Sequence, residues 1–355
     1  MDPTPACSAV APSPPVAPPP RPERIAAVRA LMGPGDPSVR PVALGIRAIT
    51  RRSFDRHVLP LIDEHWPALR RLPVYEKLRI GACDLYASAP YTVLLCSPRR
   101  PPLVRAVTGA GSLLPLPFGA LALLGRGAME AIGRFTMTPQ HRRIVLIASF
   151  IIVVDHVLDH CLTDPPLERG RRLEAVIRGR EAPTSPELRL TRALAVAFAA
   201  DLEGDERRAV EAAMQRLYDW IHAEVRAMRG EPDPLGLGHH LAGIEGGIDG
   251  LLAPLVRYAT EEIRRWMYDV SMFMQVMDDY LDYELDVVSN RTTPVVRGDW
   301  TLRDVEITWR KTLAGLDALV GAAGIESRHF ARFVRAAYVL MMVEVMEAMA
   351  RRPEL

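Results

Sequence analysis

Met274 to Asp286 reads MQVMDDYLDYELD. It places Asp278, Asp279, Asp282, Glu284 and Asp286 behind an apolar approach of Met272, Phe273, Val276 and Met277. No Gly or Pro interrupts the stretch, and the apolar spacing predicts a helix running through it. At ~3.6 residues per turn, Asp278, Asp282, Asp286 and Asp279 share one face about 100° wide, and Glu284 falls on the opposite side. Like charges at i,i+4 weaken a helix, so four carboxylates on one face call for a reason. A solvated face usually mixes signs, yet Arg264 and Arg265 are the only cations between Ile263 and Arg291. A divalent metal supplies the reason: hard Mg²⁺ takes carboxylate oxygens and bridges to a substrate phosphate.

A second stretch, Ile144 to Asp164, reads IVLIASFIIVVDHVLDHCLTD. Its apolar run ends in Asp155 and Asp159, one turn apart and so on one helix face. Asp164 follows just before Pro165 and Pro166, which should stop the helix. Two helices that each end an apolar run in carboxylates can face one another in a bundle and hold metals between them. His156 and His160 have the spacing of zinc helices, but Val157 stands where a zinc protease has its Glu. The pair is read as structural or as a support to the aspartates, with His156 as a contact of the metal site the alternative.

DDYLD at Asp278–Asp282, preceded by MQVM, resembles the second aspartate-rich motif of trans-prenyl diphosphate synthases and their relatives with the class I isoprenoid synthase fold. DHVLD at Asp155–Asp159 resembles the first such motif, with His156 in place of its second Asp. The likeness extends over roughly residues 50–350 in architecture and is specific only in the two motifs. A weaker likeness, carried by Val58–Pro73 (VLPLIDEHWPALRRLP) and the loose Asp patterns, is to tetraprenyl-β-curcumene synthase-type bacterial cyclases. The resemblance implies a prenyl diphosphate substrate and three Mg²⁺ ions with substrate bound. The metal ligands would be Asp155, Asp159, Asp278, Asp279, Asp282 and Asp286, and the catalytic set Asp155, Asp159, Asp278, Asp279 and Asp282.

Arginine forks bind phosphate bidentately. Arg229 at a helix end, and Arg291 and Arg297 in the loop after the second motif, are therefore the expected diphosphate contacts. Arg169, Arg171 and Arg172 after the first motif are read as a solvated loop first and phosphate ligands second. An elongating synthase also needs cations for a second diphosphate. The family's N-terminal Gly-Gly-Lys-Arg element is absent, and the chain has only Lys77 and Lys311 as lysines. The cyclase reading is favoured over chain elongation or head-to-head condensation. The Asn-Ser-Glu triad common in terpene cyclases is missing too. A His-Asp phosphohydrolase is disfavoured because no His-Asp dipeptide occurs. A non-catalytic helical binding protein is the reading from another class.

The remainder frames this site. The chain has 355 residues, 49% hydrophobic, with a formal net charge of +1, which carries no electrostatic footprint for nucleic acid. Abundant Ala, Leu, Arg and Glu favour an all-α domain, and the resemblance implies a single-domain helical bundle around a central cavity. Residues 1–23 read as a disordered Pro-rich tail and 24–355 as the domain. Cys7, Cys83, Cys96 and Cys161 have neither disulfide-framework nor zinc spacing, so a cytoplasmic location is expected. Leu103 to Met129 is apolar but broken by Gly and Pro. It reads as a hairpin that is buried or interfacial, not a transmembrane segment, leaving room for peripheral membrane contact and for a homodimer. Gly243, Gly246, Gly247 and Gly250 imply either a kinked helix or close helix packing.

Overall fold

The structure, a computed structural model, describes residues 17–85, 88–135, 138–200, 202–228, 238–288 and 293–351. The expectation of a disordered tail falls largely on residues 1–16, outside the described ones. Among the described residues there is no strand, and the chain is an all-α, single-domain bundle. Its helices are α1 Arg21–Met32, α2 Arg40–His57, α3 Leu59–His65, α4 Pro73–Ile80, α5 Ser88–Cys96, α6 Pro102–Leu113, α7 Phe118–Phe135, α8 Thr138–His156, α9 Pro166–Arg178, α10 Pro186–Ala199, α11 Gly204–Met228, α12 Gly238–Leu252, α13 Glu261–Leu281, α14 Tyr283–Val288, α15 Leu302–Ala322 and α16 Arg328–Ala350. Helix α1 starts inside the stretch assigned to the tail. Pro20 supplies its N-cap backbone, Arg21 opens the helix and Pro22 sits in its first turn, where a missing N–H costs nothing.

Helix α8 is apolar on every side, as a helix enclosed by others must be. Ile144 through Ala148, Phe150 and Ile152 through Val154 are all buried, against α2, α4, α7, α10 and α12. Among the described residues, Gln140–Cys161 is the one helical stretch long and apolar enough to cross a bilayer, and 67% of its apolar window is covered by the bundle. Thr138-Pro139 opens the helix at the position the sequence indicates. At the far end the α-helix widens into a π-helical turn over Val157–Cys161, closed by the Leu162 N–H donating to the Val157 carbonyl at 3.2 Å.

Helix α13 begins on a Thr260 cap, whose hydroxyl accepts from the Ile263 N–H. It is fixed along α15. Trp266 Nε1 donates to the Thr312 carbonyl at 3.0 Å, Thr312 Oγ1 donates to the Asp269 carbonyl at 3.1 Å, and Phe273 packs on Trp309 at 4.9 Å between ring centroids. Helix α12 packs against both α8 and α13, which make no extended contact of their own. Helix α1 rests on α13, α15 and α16. Arg29 holds Glu347 of α16 at 2.6 and 2.9 Å, and Arg47 of α2 ion-pairs with Glu344.

The glycines in 243–250 lie within one helix, and close packing is found at Gly243 and Gly250. A methyl at Gly243 would stand 2.7 Å from the Trp220 ring, whereas one at Gly247 would meet nothing within 4 Å. Helix propensity alone makes Gly→Ala stabilising by about 1 kcal/mol at either site. We therefore expect Gly247→Ala to raise the melting temperature and Gly243→Ala to lower it. Equal effects in thermal denaturation would remove Gly243 from the α11–α12 contact.

Candidate active site

The second motif lies at the end of α13, and the helix does not run through it as predicted. Asp282 leaves helical geometry (φ −97°, ψ 15°) and the chain restarts as α14. The Asp282 N–H still donates to the Asp278 carbonyl at 2.9 Å, and the Asp286 N–H to the Asp282 carbonyl at 3.0 Å, so the interruption is a bend and not a separation. Two causes coincide at Asp282: like charges at i,i±4 on both sides, and a side chain that is a weak helix former in the interior.

The bend leaves two of the carboxylates inside. Asp279 and Asp286 are buried, Asp278 and Asp282 partly so. Asp279 Oδ1 accepts from Gln275 Nε2 at 2.8 Å, while Asp279 Oδ2 is buried without a hydrogen-bond partner. Burial, then the charges of Asp278 and Asp286, push the Asp279 carboxyl well above the ordinary aspartate range. Gln275 opposes the shift, and Asp282 adds to it. Asp286 accepts from Thr293 Oγ1 at 3.2 Å, and Arg21 Nη2 stands 3.8 Å from Asp282 Oδ1. A buried, unpartnered carboxylate oxygen among like charges is costly unless a cation or a proton joins it.

Glu284, set aside by the angular argument, has its own partner. Arg24, fully buried on α1, grips both Glu284 oxygens, donating from Nη1 to Oε1 at 2.6 Å, and also donates to the Leu281 carbonyl at 3.0 Å and the Pro19 carbonyl at 2.6 Å. Its guanidinium lies over the Tyr280 and Tyr283 rings. The hydrogen bond from Arg24 holds the Glu284 carboxyl below its ordinary range.

The first motif is differently balanced. Asp155 is paired with Lys77 of α4 at 3.5 Å, and Asp159 lies on the π turn. His156 stacks against Trp66 at 6.1 Å and lies 5.0 Å from the His160 ring. Burial, then His160, push its imidazole down to about 4, with Lys77 lowering it further and Asp155 and Glu187 opposing. The residue in place of the family's second Asp is thus neutral at pH 7. Arg172 is paired with Asp164 at 3.0 Å, and Arg169 donates to the Asp164 carbonyl at 2.6 Å, bracing the turn after the motif.

Of the expected diphosphate contacts, Arg229 and Arg291 lie outside the described residues. Arg297 is described and is paired with Asp299 at 2.7 Å. Among the described residues, no three His, Cys, Asp or Glu side chains form a ready-made metal cluster. Arg21, Arg24, Lys77 and Trp66 were missed by sequence reasoning, because each reaches its motif from a segment remote in sequence; Gln275 was passed over although it stands on α13 itself, one turn before Asp279. No family model, curated protein or solved structure matches the chain.

Because the folded-state carboxyl of Asp279 is raised, its unfavourable contribution is absent below the aspartate value of 3.8 and grows as pH rises toward the folded-state value. Asp279→Asn, measured without divalent ions, should therefore raise the melting temperature at pH 7.5, with the gain shrinking toward pH 4. A variant less stable at pH 7.5 would show that the carboxylate is compensated. Glu284→Gln should cost about 2 kcal/mol by leaving the buried Arg24 with neutral acceptors, a figure discounted for the half-exposed Glu284. Unchanged urea denaturation would make that pair incidental.

Proposed function

We propose that this chain is a Mg²⁺-dependent class I terpene synthase, ionising a prenyl diphosphate and cyclising the resulting carbocation with release of diphosphate. The observation that carries the reading is the end of α13: four carboxylates, one of them buried with an unpartnered oxygen and a raised pKa. The class I isoprenoid synthase fold and a cavity between α8 and α13 are part of this proposal.

The donor set fits Mg²⁺ in chemical type. All four groups are hard oxygens, and the ion is commonly held by one or two carboxylates with substrate phosphates filling its other positions. Asp278, Asp279, Asp282 and Asp286 would hold the ions from one side, and Asp155 and Asp159 from the other. When bound, the metal would supply charge neutralisation of the leaving diphosphate.

The residues of the chain have separable tasks. Lys77, beside Asp155, would place a cation at the first motif, where charge develops on the departing oxygens. Arg297 would have to leave Asp299 for diphosphate, and such a partly exposed pair is of low net strength. The buried residues leading into both motifs (Val153, Val154, Phe273 and Met277) are apolar. A carbocation formed beside such apolar side chains would meet little water.

Incubation with C10 to C25 prenyl diphosphates and Mg²⁺ should give a hydrocarbon or alcohol, detected by gas chromatography and mass spectrometry. Labelled isopentenyl diphosphate should put no label into the product; labelled, longer diphosphates would identify an elongating prenyltransferase instead. Asp278→Ala and Asp282→Ala should each abolish product. Both should also abolish the melting-temperature rise that Mg²⁺ plus inorganic diphosphate gives the unaltered chain. Retention of both properties within a few-fold would remove the metal site. A chain with neither turnover nor that rise would be a helical binding protein.

A further inference from the structure

The hairpin formed by α6 and α7 presents the wrong chemistry to water. On α7, Phe118, Leu121, Ala122 and Gly125 face the bundle, Phe118 against Phe333 at 5.7 Å and Gly125 against Val42. Leu123, Leu124 and Gly127 fall on the opposite side, ~140–240° round from Phe118. They are exposed, Leu123 at 64% and Leu124 at 57%. On α6, Val104 and Thr108 are buried and Gly111 abuts Phe330, so Ala106, Gly109, Ala110 and Leu113 look outward. Leu113 is 82% exposed, and Leu114, Pro115 and Pro117 at the tip are exposed as well. An outward helix face is normally the polar one; here both are apolar and adjoin each other, since α6 packs on α7.

The charge around this surface has one sign for the most part. No Asp or Glu occurs between Asp84 and Glu130. Arg105 is exposed on α6, and Arg126 on α7 is shared with Glu130 at 3.3 Å. The tip is tied to the start of α16, where His329 Nε2 bonds the Leu116 carbonyl at 2.7 Å. That start carries exposed Arg328 and Arg332. With Arg335 they line a groove of about 480 Å³ against α15, in which Asp317 is the acid and is paired with Arg335.

We propose that the α6–α7 hairpin is a membrane-docking surface that inserts its leucines into the interface of a bilayer carrying anionic headgroups. Exposed apolar residues on a projecting hairpin gain by entering the acyl boundary. Arginines at the border of the inserted surface are drawn to a negative leaflet at short range. Charge complementarity selects the anionic bilayer over an apolar protein surface, because the exposed Arg105, Arg328 and Arg332 at its border gain nothing from a neutral partner. The surface lies apart from both Asp motifs, so the inference stands independently of the reaction.

The test is co-sedimentation of the full chain with vesicles of phosphatidylcholine alone and of phosphatidylcholine mixed with phosphatidylglycerol. Binding should favour the anionic vesicles and weaken with salt. Leu113→Ser combined with Leu123→Ser should reduce it by about ten-fold or more. Arg328→Gln combined with Arg332→Gln should reduce the anionic preference roughly ten-fold. Both pairs occupy exposed positions, so the melting temperature should be unchanged. Failure to bind either vesicle, or binding indifferent to the leucine changes, overturns the proposal. So does a dimer in sedimentation velocity that the leucine changes dissolve while vesicle binding is absent, which would assign the surface to a second copy of the chain.

Discussion

A carboxylate oxygen buried without a partner constrains everything at the end of α13. Asp279 Oδ2 cannot turn to solvent, because α13 is pinned along α15 by the Trp266–Thr312 hydrogen bond and the Phe273–Trp309 packing. The charge is therefore built in by the core and not by the surface. Neighbouring features relieve part of it. The helix bends at Asp282, and Arg24 holds Glu284 on the side of α1, away from the other four carboxylates. Stability is given up locally by holding Asp279 Oδ2 without a partner.

The two aspartate motifs are unequal partners. The second is short of positive charge within its own helix. The first has Lys77 at Asp155 and a neutral imidazole where the resembling family has a carboxylate. The π turn at Val157–Cys161 inserts extra arc into the helix carrying Asp159 and so sets where that side chain emerges relative to Asp155.

The helical class, the enclosure of α8, its start at Thr138 and the α6–α7 hairpin were legible because each is written locally, in apolar periodicity or in Gly and Pro punctuation. The clustering of Asp278, Asp279, Asp282 and Asp286 was legible for the same reason, since they lie within nine positions. The bend at Asp282 was not. It depends on a balance between helix hydrogen bonds, which persist, and charge repulsion, which periodicity does not weigh. The partners of the motifs were not legible either: Arg24 stands 260 positions from Glu284 and pairs with it only because α1 folds back onto α13. The choice between a kink and close packing for the glycines of α12 needed the position of Trp220 on α11.

The clasp of α1 has a consequence for how the chain comes to be folded. During synthesis α1 emerges first, yet its anchors are Glu284 beyond α13 and Glu347 in α16. Contacts of such sequence separation carry a large loop-closure cost and form late. The buried guanidinium of Arg24 must therefore stay solvated while most of the polypeptide is made, and the end of α13 reaches its final shape only when α1 returns to it. Assembly of the acidic site therefore waits until synthesis has passed α14, and a nascent chain stalled before α14 cannot close the clasp on Glu284.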